Sequence, residues 1–312
     1  MAVVRWTRRL TALIGMFAIL SLTACTSDHQ QAGSPKRGTI QVIDGDGYTV
    51  TLNRPAQRIM TLSPHTTELV FAIGAGNQVI ATTRFSDYPA EARHLPTVGD
   101  VHQLDIEKII SHRPDLIVLW PSGSASRQVD ELVRTGIPIY RTHPKKLADI
   151  PMDMQKLGVL TGHSEEGEKR AEVWRNQLEA LRRQYQADRK MRVFYQIYDQ
   201  PLYTIGGTQI IDEAISVCGG QNIFNDIRAL APILGVETVL ARNPDVIIST
   251  GGMSGEYGLG LWKRFPMLNA TRTRSLYAMD SDLISRPGPR MVQGIQFLCE
   301  KIDDARKKSS KE

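Results

Sequence analysis

Two glutamates occupy equivalent positions in a segment that the chain contains twice. Leu104–Trp120 (LDIEKIISHRPDLIVLW) and Leu234–Thr250 (LGVETVLARNPDVIIST) align without a gap, and the alignment pairs Glu107 with Glu237. Two such carboxylates could make a two-point charged contact with a basic partner. A glutamate in the first turn of a helix can also serve only the helix dipole, which is worth about 0.3–1 kcal/mol. Taken alone, the repeat favours this second, structural interpretation.

The chain shows no pattern typical of an enzyme, a nucleotide site or a metal site. Ser63-Pro64-His65 is not a nucleophile elbow, and Gly-x-Ser-x-Gly does not occur. Gly-Gly pairs occur, but Gly-x-Gly-x-x-Gly does not follow any predicted strand. Six of the seven histidines lie between His65 and His163, without the regular spacing of metal ligands. We therefore expect a binding protein with no catalytic residue, no metal and no cofactor.

The repeated segment predicts a chain made of two similar α/β halves. Each copy reads as a short amphipathic helix, a turn at Arg-Pro-Asp or Asn-Pro-Asp, and an apolar strand suited to a buried parallel sheet. A second pair of similar segments, Glu68–Ile80 and Glu213–Phe224, occurs in the same order. The predicted fold is α/β, with Rossmann-like lobes at residues 39–163 and 191–312. Helix–turn–strand units that merely look alike are the alternative.

One long helix is predicted between the two halves, at residues 164–190. Ser164 suits an N-cap, and apolar residues then recur at three- and four-residue steps as far as Tyr185. At 1.5 Å per residue, the helix forms a rod of about 38 Å. A single rigid rod between two lobes permits little hinge motion.

The N-terminus has the pattern of a bacterial lipoprotein signal at residues 1–24. A basic stretch precedes an apolar core, Leu10–Leu22, which is too short to span a bilayer. Leu22-Thr23-Ala24-Cys25 matches a lipobox, so we expect Cys25 to be lipidated; an ordinary cleaved signal with an incidental cysteine is the alternative. Residues 25–38 are polar and predict a tether. The mature chain would then face the periplasm from a bacterial membrane, or the cell surface in a Gram-positive organism.

The charge of the chain argues against a nucleic-acid partner. The 312 residues carry a formal net charge of +5, and Arg5, Arg8 and Arg9 of the signal supply three of these charges. The remaining excess lies partly in Arg306–Lys311, most simply a solvated tail. A mature chain with so balanced a charge is not expected to bind nucleic acid.

Cys218 and Cys299 are the two cysteines that remain besides Cys25. Export would place them in an oxidising compartment, where disulfides form and persist. A bridge between them would close a loop of roughly 80 residues and contribute about 4–5 kcal/mol in the chain-entropy description. We predict the disulfide, with two buried free thiols as the alternative.

Seven motifs together resemble those of one protein family. They are SPHTTELVFAIGAG, FSDYP, LDIEKIISHRPDLIVLW, FYQIYDQPLYTIGG, CGGQNIF, ETVLARNPDVII and SRPGPR. With these motifs, which lie between Arg58 and Cys299, the chain resembles the substrate-binding proteins of ABC importers for cobalamin and iron-siderophores. Several motifs are shared with siderophore binders. FSDYP, DQPLYTIGG with CGGQNIF, and SRPGPR together favour the cobalamin branch.

The resemblance implies a class III periplasmic binding protein. In that fold, two Rossmann-like lobes are joined by one long rigid helix, and the ligand lies in the cleft between them. The protein would capture cobalamin or a related corrinoid and deliver it, as a monomer, to an ABC permease dimer with its ATPase subunits. The family docks on its permease through one acidic residue per lobe, and these positions match Glu107 and Glu237. The resemblance thus makes docking the favoured role of the two glutamates.

If the ligand is a corrinoid, the candidate ligand-binding residues are aromatic and polar, and most of them lie in loops. A large ligand with apolar faces and amide arms suits aromatic walls and a few hydrogen-bonding groups rather than a cage of charges. Any single aromatic could instead belong to a core, and Arg286 could pair with Asp282. The candidates are Pro64, His65, Phe85, Tyr88, His102 and Trp120 from the first half, and Tyr198, Tyr203, Trp262, Asp282 and Arg286 from the second.

Three positions depart from the pattern of the cobalamin branch. His102 stands where the family often has an aromatic residue, and Leu202 and Leu283 replace aromatics of the best-known cobalamin binder. The pocket could therefore take a cobalamin precursor. A ferric-siderophore or haem-binding protein of an iron importer remains the alternative function, since it would share the fold.

Overall fold

A computed structural model describes residues 38–124, 126–252 and 256–310 of the chain. The predicted signal peptide, Cys25 and all but the last residue of the predicted tether lie outside the described residues. From Gly38 onward the chain forms one compact unit. Within the described ranges, no helix is long and apolar enough to cross a membrane.

The first half contains a hairpin and a parallel α/β unit. Its elements are β1 (Ile40–Ile43), β2 (Thr49–Leu52), β3 (Ile59–Thr61), α1 (Pro64–Ala72), β4 (Val79–Ala81), α2 (Ile106–Ser111), β5 (Leu116–Leu119), α3 (Ser126–Arg134), β6 (Ile139–Arg141) and α4 (Asp149–Thr161). Strands β3 to β6 form a parallel sheet in the order β4-β3-β5-β6. Apolar residues of α1 and α4 cover one face of this sheet, and those of α2 and α3 cover the other.

The second half is reached through one long helix and has its own mixed sheet. The elements are α5 (Ser164–Tyr185), β7 (Met191–Asp199), β8 (Leu202–Thr204), α6 (Ile210–Val217), β9 (Gly220–Asn222), α7 (Val236–Arg242), β10 (Val246–Ser249), α8 (Gly260–Lys263), α9 (Asn269–Arg272), β11 (Leu276–Ala278) and α10 (Met291–Ser309). The sheet order is β11-β10-β7-β8, and β9 also pairs with β7. Only β8 runs antiparallel to its neighbour among these described strands.

The repeated segments fold into the same unit in both halves, α2 followed by β5 and α7 followed by β10. Asp115 accepts a hydrogen bond of 2.8 Å from the backbone N–H of Arg58, just before β3. Asp245 accepts the corresponding bond of 3.0 Å from the backbone N–H of Arg192, in β7. Both arginine side chains donate to carbonyl groups at the C-terminal ends of α2 and α7. The prediction of two similar α/β halves is confirmed, and the similarity extends to individual hydrogen bonds.

The long helix between the halves is present but shorter than predicted. Helix α5 ends at Tyr185, five residues before the predicted end at residue 190. Between Tyr185 and β7 the chain offers only polar residues and one alanine, so a further turn would bury no apolar face. The side chains that α5 does bury against the rest of the protein include Ala171, Trp174 and Leu178. The lobe limits at residues 39–163 and 191–312 stay predictions.

The predicted disulfide is confirmed. Cys218, at the C-terminal end of α6, is bonded to Cys299 in α10. Both residues are fully buried. The last helix of the chain is therefore covalently fixed to the helix that packs on β9, and the alternative of two free thiols is wrong.

A buried acid between β6 and α4 predicts a pH-dependent stability. The Tyr140 hydroxyl donates a hydrogen bond of 2.5 Å to Asp153, whose pKa burial raises from 3.8 to about 6. The folded chain thus binds a proton between these pH values that the unfolded chain has lost, so the free energy of unfolding falls as pH rises from about 4 to about 6. Denaturant unfolding should show a loss of up to about 3 kcal/mol across this window.

The variant Asp153→Asn isolates this contribution to the pH dependence. Asparagine keeps an acceptor for the Tyr140 hydroxyl but does not titrate. The variant should lose the decrease in stability between about pH 4 and pH 6. The same decrease in the variant as in the parent chain would show that Asp153 is not its source.

Candidate ligand cleft and docking surface

A cavity of about 270 Å³ lies between the two halves of the chain. Trp120 and His143 line it from the loops that follow β5 and β6, and Ile197 and Ser285 line it from the second half. Loops at the carboxyl ends of parallel strands are the usual walls of ligand crevices in α/β folds. Trp120 is thus a predicted ligand residue that lies directly in the cleft wall. Arg286 does not line the cavity, although its neighbours Ser285 and Pro287 do.

His65 supports the cleft wall instead of lining it. The residue is only 2% exposed, and its ring packs edge-on against Trp120 with 5.3 Å between ring centroids. Burial, with a further contribution from the charge of Arg286, lowers the pKa of His65 to about 3. The ring is therefore neutral at physiological pH. In this structure the buried side chain of His65 contacts Trp120 and does not line the cavity, so its contact with the ligand stays a prediction.

Arg286 joins three carboxylates from both halves of the chain. Its Nη1 donates to Glu68 (3.3 Å) and Asp87 (2.8 Å) of the first half, and its Nη2 lies 2.8 Å from Asp282. Arg290 donates two further hydrogen bonds to Glu68, of 2.8 and 2.7 Å. The side chain of Glu68 is 1% exposed, whereas Asp87 and Asp282 are 49% and 40% exposed. We call these five residues the interlobe ion cluster.

Three members of the interlobe ion cluster, Glu68, Asp87 and Arg290, were not among the predicted site residues. Glu68 reads in the sequence as an ordinary polar position in a helix, and its near-complete burial depends on the approach of the second half. The sequence signal was the SRPGPR motif, which carries a second arginine, Arg290, for which no role was assigned. Two arginines in one short loop require an anion nearby if they are to be buried.

The two aromatic residues of the FSDYP motif are exposed and do not line the 270 Å³ cavity. Phe85 is 71% exposed and has a positive φ of 66°. Tyr88 is 44% exposed, and the guanidinium of Arg290 lies 4.0 Å from the centre of its ring. That distance is typical of a cation–π contact. Tyr88 therefore supports the interlobe ion cluster in this structure.

Four other predicted ligand residues do not line the cleft cavity. Tyr198 of β7 and Tyr203 of β8 are paired across the sheet, so their half-buried side chains share one face. Pro64 is half-buried in the first turn of α1. His102 is exposed in the loop before α2, where its backbone N–H donates to Asp100.

Trp262 belongs to the core of the second half and not to the cleft. The residue is fully buried, and its ring contacts Phe194 at 5.3 Å between centroids. Its Nε1–H donates a hydrogen bond of 2.7 Å to Gln196. The prediction of a ligand contact at Trp262 is corrected: α8 brings this side chain onto the sheet, where its polar atom is satisfied and none of its surface is accessible.

Glu107 and Glu237 occupy the same place in the two halves, in the first turns of α2 and α7. Both are exposed. Within the described part of the chain, neither carboxylate takes part in an ion pair. The two side chains are therefore accessible to a basic partner, one on each half.

The described residues contain no group of three or more His, Cys, Asp or Glu side chains that could hold a metal ion. His143, the histidine in the cleft wall, uses both ring nitrogens. Nδ1 lies 2.6 Å from Asp46, and Nε2 lies 2.8 Å from the Ser122 hydroxyl. The ring is thereby fixed in position beside Trp120 and has no free nitrogen for a ligand.

The chain is similar to known periplasmic binding proteins. Residues 59–283 match the periplasmic binding protein family. A vitamin B12-binding protein of Vibrio parahaemolyticus is 34% identical over 258 residues, which cover 82% of this chain and 93% of that protein. The crystal structure of the periplasmic vitamin B12-binding protein BtuF of Vibrio cholerae superposes with a TM-score of 0.75 at 33% identity, covering 81% of this chain and 99% of that one.

A haem-binding relative has the same fold. The periplasmic haem-binding protein RhuT from Roseiflexus sp. RS-1 superposes with a TM-score of 0.69 at 25% identity, covering 80% of this chain and 99% of that one. The α/β fold of a class III periplasmic binding protein, predicted from the sequence, is confirmed by these superpositions. The identity is higher to the two vitamin B12-binding proteins than to the haem-binding protein.

Proposed function

Because this chain belongs to the periplasmic binding protein family, we propose that it captures cobalamin or a related corrinoid and delivers it to an ABC permease. The similarity to the two vitamin B12-binding proteins, over about four-fifths of this chain, carries the proposal. The cleft supports it, since Trp120 offers an aromatic wall and Ser285, the neighbour of Arg286, lines the opposite side. The corrinoid is cargo, and the protein performs no covalent chemistry on it and needs no cofactor.

The proposed ligand requires the loops of the cleft to move apart, without a wide hinge motion of the two lobes. The cavity of about 270 Å³ is slightly below the usual range for small-molecule pockets, about 300–1,000 Å³, and a corrinoid lies at the large end of ligands. Loading would therefore separate the loops that carry Trp120 and Arg286. Arg286 would exchange its bonds to Glu68 and Asp87 for bonds to the ligand.

Delivery is proposed to use the two exposed glutamates. Glu107 and Glu237 would each pair with basic side chains of one permease subunit, so that a monomeric binding protein spans the permease dimer and its ATPase subunits. Lipidation at Cys25 would hold the protein at the periplasmic face of the membrane through a tether of residues 25–38. The anchor shortens the search for the permease by keeping both partners at one surface.

Haem or a ferric siderophore is the alternative cargo, and one observation in the cleft argues against His143 as an axial haem ligand. A histidine needs a free ring nitrogen to ligate haem iron, whereas other axial ligands use a tyrosine hydroxyl or a sulfur atom. His143 in the cleft wall uses both of its ring nitrogens, for Asp46 and Ser122. Aromatic stacking on Trp120 suits a corrin face without any axial contribution from the protein.

The role of Trp120 provides the test of the proposed function. Replacing it by alanine should weaken cyanocobalamin binding about tenfold or more, since an aromatic wall contributes on the order of 1.4 kcal/mol. Trp262→Phe is the matched control, because it alters an indole in the core and should leave the affinity unchanged. Titration followed by fluorescence quenching measures both. If Trp120→Ala binds cyanocobalamin as tightly as the parent protein does, the corrinoid does not bind in this cleft.

A further inference from the structure

A polar cavity of about 350 Å³ borders the ligand cleft. It is lined by the turn between β1 and β2, by the loop between β6 and α4, and by the first two turns of α4. His143 and Lys145 of that loop line both this cavity and the cleft cavity. The two cavities therefore meet at these residues, and a ligand in the cleft would lie directly beside the second cavity. We call this second cavity the polar annex.

The loop between β6 and α4 is held in place by the turn between β1 and β2. Asp44 of the turn pairs with Arg141 at 3.1 Å, and Asp46 lies 2.6 Å from Nδ1 of His143. The backbone N–H of Gly45 donates a hydrogen bond of 2.7 Å to the carbonyl of Arg141. A Cβ atom at Gly45 would lie 2.6 Å from the backbone nitrogen of His143, so this close approach requires glycine. The loop is thus fixed at the edge of the cleft.

Two lysines of this loop carry charges without a partner. The backbone N–H groups of Lys145 and Lys146 donate hydrogen bonds of 2.8 and 2.9 Å to Asp149, which fixes their position. Both residues are exposed. In the part of the chain that the structure describes, neither ammonium group forms an ion pair or a hydrogen bond. The two ammonium groups are therefore available to a ligand.

The three carboxylates that line the polar annex are already engaged. Asp44 is paired with Arg141, and Asp149 accepts the two backbone N–H groups. Asp153 accepts the Tyr140 hydroxyl, and its charge also interacts with that of the remaining lysine of the lining. An anionic group of a ligand would thus find two ammonium groups that no carboxylate of the lining contacts.

We propose that Lys145 and Lys146 bind the phosphodiester of a complete corrinoid while the corrin ring lies in the cleft. This role rests on the proposed function and adds to it the part of the cargo that the polar annex recognises. Cyanocobalamin carries one anionic phosphodiester in its nucleotide loop, and cobinamide lacks that loop. Lysine is a common phosphate ligand and acts as a point charge. The two lysines thereby make the protein selective for complete corrinoids over this precursor.

The double variant Lys145→Gln/Lys146→Gln tests this selectivity in calorimetric titrations with cyanocobalamin and dicyanocobinamide. Both ligands are electrically neutral overall, so the difference between them reports on the nucleotide loop and not on net charge. The parent protein should bind cyanocobalamin at least about tenfold more tightly, because each of two exposed ion pairs strengthens binding a few-fold. The variant should bind cyanocobalamin about tenfold more weakly than the parent does, with an unchanged affinity for dicyanocobinamide.

Arg189→Gln/Lys190→Gln is the matched control for the lysine variant. These two adjacent cations are also exposed, form no ion pair within the described residues, and line neither cavity. The control should bind both corrinoids as the parent does. If both corrinoids bind but the lysine variant keeps the parent's ratio of affinities, the polar annex does not recognise the phosphodiester and the proposal is wrong. If the parent binds neither corrinoid, the proposed function itself is wrong.

Discussion

Replacing both Glu107 and Glu237 by lysine is expected to abolish corrinoid uptake while leaving corrinoid affinity unchanged. In the proposed docking, each reversal would remove one attractive contact with the permease and place a positive charge against the basic group that receives the glutamate. Because the two residues lie on different halves of the chain, each single variant keeps one docking point. The single variants should therefore reduce uptake, and the double variant should bring it to background.

Glu165→Lys is a matched control for the docking variants. Like the docking pair, Glu165 is an exposed glutamate in the first turn of a helix, here α5. Its reversal disturbs a helix dipole by a similar amount, about 0.3–1 kcal/mol, but should leave uptake intact. Uptake of labelled cyanocobalamin by cells, with ligand affinity measured on the purified variants, separates docking from capture. Persistent uptake by the double variant would leave the two glutamates with only their helix-dipole role.

Replacing Glu68 by glutamine is expected to destabilise the protein by about 3 kcal/mol. Glu68 is the buried anion of the interlobe ion cluster, and its loss leaves the guanidinium groups of Arg286 and Arg290 without their shared partner. These side chains are 12% and 15% exposed, so water can replace little of the missing interaction. The glutamine is nearly isosteric, and the loss is therefore one of charge and not of packing.

Asp87→Asn is the control for Glu68→Gln within the same cluster. Asp87 also accepts a hydrogen bond from Arg286, but it is 49% exposed. An exposed ion pair contributes about 0–1 kcal/mol, so this variant should change the free energy of unfolding much less. Urea unfolding of both variants at neutral pH gives the comparison. Equal small losses would mean that the cluster is solvated and does not hold the two halves together.

Much of the fold could be predicted because the chain contains the same helix–turn–strand segment twice. The helix–turn–strand pattern around Glu107 and Glu237 follows from local periodicity and from the proline in each turn. The aspartate after each proline, Asp115 or Asp245, makes the same hydrogen bond in both halves. The disulfide followed from the cysteine count and the export signal. The predicted end of α5 was too late. The apolar stripe of the helix ends at Tyr185, but residues 186–190 include good helix formers and so resemble a continuation of the helix.

The candidate site was less predictable because burial depends on tertiary contacts. Trp120, Trp262 and His65 are all plausible pocket residues by type, and Trp120 also by its position in a loop after a strand. Only the structure separates them: Trp120 lines the cleft, His65 packs against its ring, and Trp262 lies in the core. Local sequence carries no information on which aromatic side chain faces an opposing lobe, since that lobe is distant along the chain.

The most direct test of the central claim is a calorimetric titration of the exported protein with cyanocobalamin, cobinamide and a ferric hydroxamate in parallel. The corrinoids should bind at micromolar concentration or tighter, about −8 kcal/mol or better, and the ferric complex should not bind. Comparable affinities for cyanocobalamin and cobinamide would show that the lower nucleotide loop is not recognised. Binding of the ferric complex alone would contradict the account and assign the protein to iron uptake.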